Sequence, residues 1–154
     1  MTAPRHDPVA PRPRRAGSDR LRRVIDALWL PTSVHFAMGA TVVVATLAAW
    51  LASLLVGVRK RALPRWVHGL FIVSQLALAV QVLLGIKLLD QGLGPLQLYV
   101  HYLGGTGPLL FFLGYYWAPA RFRAWRWAAP LASGLAFLFV VMAFGIGQSY
   151  VAAA

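Results

Sequence analysis

Three of the four histidines in this 154-residue sequence stand inside long apolar runs: His35, His68 and His101. An imidazole in an apolar, membrane-like setting is costly and tends to be functional. His6 lies instead in a Pro/Arg-rich N-terminal stretch and has no such setting. His35 and His101 share a local pattern. Val34-His35-Phe36-Ala37-Met38-Gly39 and Val100-His101-Tyr102-Leu103-Gly104-Gly105 both read V-H-[FY]-x-x-G, and each histidine follows a proline, Pro31 or Pro95, by four to six residues.

The glycine four residues on has a physical meaning. Positions i and i+4 stack on one helix face. A porphyrin ligated at i lies along that face, where a side chain at i+4 would meet it, and Gly39 and Gly105 leave the space open. If the two runs cross a membrane in the same direction, the two imidazoles reach one depth. Two neutral imidazoles from two helices can then ligate one haem iron axially. The competing reading is helix packing, because small residues also let helices approach closely and a histidine can hydrogen-bond across the interface.

His68 is placed near the opposite face and cannot join the same iron. It reads as an interfacial histidine, with a second haem or a quinone contact as the alternative. Gln81 and Lys87 fall toward the His35/His101 end of their run, as do Gln97, Tyr99, Gln148 and Tyr150. Lys87 is a candidate partner for a haem propionate, since a buried anion needs a charge-assisted bond; the alternative is a lysine snorkelling to the interface. Gln75, mid-run, reads as interhelical glue.

The elements that must carry these residues are four apolar runs, roughly 32–57, 66–89, 96–117 and 127–150. Each can cross about 30 Å of hydrocarbon at 1.5 Å per residue. RKRALPR, DQGLGP and APARFRAW separate them, and Trp66, Trp117, Trp125 and Trp127 stand at run ends as in an aromatic belt. The runs lack period-two alternation, which argues against strands. Residues 1–18 read as a disordered basic tail. Residues 19–30, DRLRRVIDALWL, read as a short amphipathic helix lying in the interface. The expected fold is all-α: an integral membrane four-helix bundle over residues 31–151 with a short N-terminal amphipathic helix.

Composition supports that solvent. The chain is 59% hydrophobic and 12% charged, with mean hydropathy +0.64, where a soluble domain carries about 25% charged residues. The net charge of +11 sits in three groups, seven Lys+Arg within the first 23 residues, then 59–65 and 121–126. Basic groups bracketing apolar runs follow membrane topology and anionic lipid, and no groove-reading motif accompanies them, so nucleic acid is not the expected partner. The two basic short loops share one side, which favours the cytoplasm and an N-out, C-out topology; the basic tail pulls the other way. Thirteen Arg against two Lys, with abundant Ala, suggests a GC-rich genome and a bacterial inner membrane.

Gln81-Val82-Leu83-Leu84-Gly85, a short loop, then Val100-His101 and an apolar run resemble the haem A synthase family over about residues 31–117. The resemblance implies a Q-x-x-L-G turn, an outer loop and a haem-ligating histidine early in the next helix, within a four-helix unit with paired histidines. It matches His35 to the preceding ligand helix and puts the first loop inside. The sequence departs from that family: His35 and His101 are followed by Phe36 and Tyr102, and there is no Glu. One such unit is present where the full enzyme has two. What carries over is the holding of haem b rather than hydroxylation of a haem methyl group.

No cysteine is present, which removes thiolate ligands, disulfides and c-type haem attachment. Apart from Asp90 at a loop edge the runs hold no carboxylate, which argues against a proton relay. Neither a nucleophile–base pair nor a nucleotide motif is visible. The expectation is an electron-transfer or accessory subunit rather than a stand-alone enzyme, with the bilayer, a quinone or a respiratory complex as partners and a homo-oligomer left open. The alternatives are a membrane subunit or assembly factor without its own cofactor, and a homodimeric relative of one haem A synthase half.

Overall fold

The computed structural model describes residues 27, 29–93 and 98–153, and among them there is no strand. The tail expected over residues 1–18 and nearly all of the helix expected over 19–30 lie outside the described residues. Trp29 and Leu30 are not helical, which corrects the C-terminal end of that expectation. The reason is Pro31, whose ring drives the preceding residue toward extended conformations.

Helices occupy the four apolar runs: α1 Thr32–Val58, α2 Arg65–Asp90, α3 Leu98–Trp117 and, after a one-turn helix α4 Ala120–Arg123, α5 Ala128–Ala153. Prolines set several of the starts. Pro31 and Pro64 hold extended backbone at the N-caps of α1 and α2, where a residue without an N–H loses no intrahelical bond. Two C-termini close with paired reverse hydrogen bonds. After α2, Gly92 N–H donates to Leu89 O and Leu93 N–H to Leu88 O, with Gly92 at φ +75°. This is the glycine-terminated Schellman arrangement.

α1, α2 and α5 are long and apolar enough to cross a membrane. α3, one of the four expected spans, does not stand with them. Its 20 residues include His101, Thr106, Pro108 and several glycines and tyrosines, which dilute its apolar character. Large apolar side chains face outward along all four long helices, among them Leu76, Leu83, Leu110 and Leu138.

The four long helices pack in a ring, α1 beside α2 and α5, and α3 beside α2 and α5, so α1 and α3 stand on a diagonal. Close approach rests on small residues. The buried stripe of α1 reads Gly39, Val42, Thr46, Ala49, Ser53, Val56, with the three-and-four spacing of a helix seam. Ser53 Oγ meets Ser133 Oγ of α5 at 2.9 Å. Where α3 crosses α5, a Cβ at Gly104 would stand 2.6 Å from Ala143 Cβ, and one at Gly107 2.9 Å from Phe139 Cδ1. Phe71 of α2 packs edge-on against Phe112 and Tyr115 of α3.

Candidate functional site

His35 lies one turn into α1 and His101 one turn into α3. The diagonal placement of those helices turns the two side chains toward the middle of the ring. Their ring centres are 6.2 Å apart and their planes are tilted by 54°. An iron held by two imidazole nitrogens at about 2 Å each, with about 1 Å more from nitrogen to ring centre, separates the centres by about 6 Å.

The rings border a cavity of about 390 Å³ lined by residues of α1, α2, α3 and α5. Gln81 of α2 reaches into it and its Nε2 donates to His35 Nε2 at 3.2 Å. Three polar atoms here are buried without a partner: His35 Nδ1, His101 Nδ1 and Gln81 Oε1. Such atoms cost about 1–3 kcal/mol each, so their concentration around one cavity marks a place suited to a polar or metal-centred group.

Glycines shape the walls. A Cβ at Gly105 would meet nothing within 4 Å, so this residue leaves open space beside His101. Gly39 is tighter, since a Cβ there would stand 3.2 Å from Phe144 Cδ2 and 3.3 Å from Gln81 Nε2. Its small size admits protein side chains, which is the packing reading of that glycine. Two further glycines flank the imidazoles: a Cβ at Gly85 would lie 3.4 Å from His35 Cε1, and one at Gly147 3.7 Å from His101 Cε1. The signal for Gly85 was its place four residues after Gln81, on the same face of α2. Gly147 had no signal in the sequence.

Lys87 is placed elsewhere. Its Nζ donates to Asp90 Oδ2 at 2.8 Å, and it does not line the cavity, whereas Gln81, Gly85, Ile86, Leu88 and Leu89 do. The i, i+3 spacing on α2 supplies the lysine with its own carboxylate. Gln75, expected between helices, donates instead to Phe71 O of its own helix at 3.2 Å. Tyr99 and Gln148 are exposed; Gln97 and the Tyr150 side chain lie outside the described residues. His68 sits at the other end, its Nδ1 3.1 Å from Tyr116 Oη, and its ring near Tyr115.

Among the described residues no three His, Cys, Asp or Glu side chains converge. Two imidazoles alone do not complete the shell of a bare cation, and a macrocycle supplying four nitrogens would. No family model, no curated protein and no solved structure matches this chain.

Proposed function

We propose that this chain is a small integral membrane protein, a four-helix bundle that holds one haem b between His35 and His101 and serves electron transfer. The observation that carries the reading is the 6.2 Å separation of two imidazoles across a shared cavity. A haem bound there would supply one-electron redox chemistry. His35 and His101 would hold it. Gln81 would give up its bond to His35 Nε2 as that nitrogen took the iron, and Gly105 would clear room for the ring. A membrane setting is supported by three helices long and apolar enough to span, and by exposed Trp66, Trp117 and Trp125 near helix ends. α3 would cross as the fourth span, with Leu103 and Leu110 facing lipid. The basic segments 59–65 and 121–126 lie at the end away from His35 and His101. By the positive-inside rule this favours the His35/His101 end outside, and the Arg- and Ala-rich composition favours a bacterial inner membrane. A quinone or a respiratory complex would be the redox partner.

One observation favours a second reading. The Gln81–His35 hydrogen bond is what a histidine serving only helix packing would make, as in a membrane subunit or assembly factor without its own cofactor. Spectroscopy separates the two. Protein purified from haem-replete cells in mild detergent should show a Soret band and a reduced-minus-oxidised difference band. His35→Ala and His101→Ala should each remove both while the far-UV spectrum stays helical. Folded wild-type protein without a Soret band would end the haem reading and leave the packing one.

A further inference from the structure

At the end of the ring opposite His35 and His101, a second cavity of about 520 Å³ opens between the α1–α2 loop and the segment around α4. Four cations line it, Lys60, Arg61, Arg123 and Arg126, together with Tyr115 and Trp125. Asp90 is the one acidic residue among the described residues, and it stands at the far end of α2, paired with Lys87. The cavity therefore gathers guanidinium and ammonium groups, and among the described residues no carboxylate lines it. Arg126 is held in place from two sides: its Cζ lies 5.2 Å from the Trp127 ring centre, and its backbone carbonyl packs on Gly57, where a Cβ would stand 2.9 Å from it.

The backbone at Lys60 adds an independent observation. α1 closes as α2 does: Lys60 N–H donates to Gly57 O, and Arg61 N–H to Val56 O. The left-handed position that α2 fills with Gly92 is filled here by Lys60, at φ +52°. A residue with a Cβ is disfavoured in that conformation. A strained residue retained where glycine would serve points to a use for its side chain, and this one lines the cationic cavity.

The geometry points to a binding site for a phosphate-bearing anion, the headgroup of an anionic phospholipid or a free phosphate compound, formed by Lys60, Arg61, Arg123 and Arg126. Guanidinium forks match phosphate oxygens in pairs, and a lysine adds a point charge. At a membrane surface the same cations would meet headgroups directly.

The full chain in neutral detergent tests this in two arms. In native mass spectrometry with equimolar phosphatidylglycerol and phosphatidylcholine, preferential retention of phosphatidylglycerol identifies a lipid. A saturable change in tryptophan fluorescence with inorganic phosphate, beyond that of chloride at matched ionic strength, identifies a free anion. In whichever arm binds, Arg61→Ala/Arg123→Ala should weaken binding roughly tenfold or more. Arg59→Ala/Arg121→Ala, which removes equal charge outside the cavity, should leave it nearly unchanged. Lys60→Gly should raise the unfolding midpoint and still weaken binding. Absence of binding in both arms overturns the proposal, as does equal weakening by the two double variants. Unchanged binding in Lys60→Gly removes Lys60 from the site.

Discussion

Replacing Gly104 and Gly105 by alanine, one at a time, should separate two adjacent glycines of α3 that meet different surroundings. A Cβ at Gly104 would stand 2.6 Å from Ala143 Cβ and 3.2 Å from both Ala143 Cα and Phe139 O, whereas one at Gly105 would meet nothing within 4 Å. Carbon atoms settle at about 3.5–4.0 Å, so alanine at 104 must drive α5 off α3 by about 1 Å. Overpacking of that kind costs about 1–3 kcal/mol. Each substitution also gains about 1 kcal/mol of helix propensity over glycine, and this gain cancels when the two variants are compared. Gly105→Ala should thus be more stable than wild type by up to about 1 kcal/mol. Gly104→Ala should lie about 1–3 kcal/mol below Gly105→Ala. Equilibrium unfolding in mixed micelles, followed by far-UV circular dichroism, reads both on one scale. Equal stabilities, or Gly104→Ala as the more stable, would refute the close crossing of α3 and α5 and the packing derived from it.

Three further outcomes follow from the same contacts. Gly105→Ala should lower haem content in purified protein although it stabilises the fold; haem content equal to wild type would remove Gly105 as clearance for the ring. Ser53→Ala and Ser133→Ala should show a coupling of about 0.6 kcal/mol, and no more than about 1.7, in a double-mutant cycle, because their hydroxyls meet at 2.9 Å across α1 and α5; strict additivity would place the two apart in the bilayer. Lys87→Met should leave haem content unchanged and alter stability by less than about 1 kcal/mol, since Lys87 is engaged by the half-exposed Asp90; loss of haem would return Lys87 to the site as a propionate partner.

The positions of the helices were written in the sequence. Apolar runs end where RKRALPR, DQGLGP and APARFRAW begin, and Pro31 and Pro64 mark two starts because a proline costs a helix no hydrogen bond at its N-terminus. The repeated V-H-[FY]-x-x-G pattern put His35 and His101 at one depth, because rise per residue is a property of the backbone alone. Gln81 and Gly85 were within reach of the same reasoning, one turn apart on α2.

Which faces meet was decided only by the tertiary structure. Rotation of each helix about its axis and its choice of neighbours depend on contacts between residues distant in the chain. The diagonal of α1 and α3 brings the imidazoles to 6.2 Å. The turn of α3 makes Gly104 a contact with α5 and leaves Gly105 open. Lys87 went to Asp90 rather than to the cavity, and Gln75 to its own helix. The basic loops were legible as charge, but their gathering around one cavity, with Lys60 strained at a glycine position, required the backbone at Arg126 to pack onto Gly57 near the end of α1. A linear pattern fixes depth and period, whereas partners across a helix interface are set by how side chains of several segments fill one volume together.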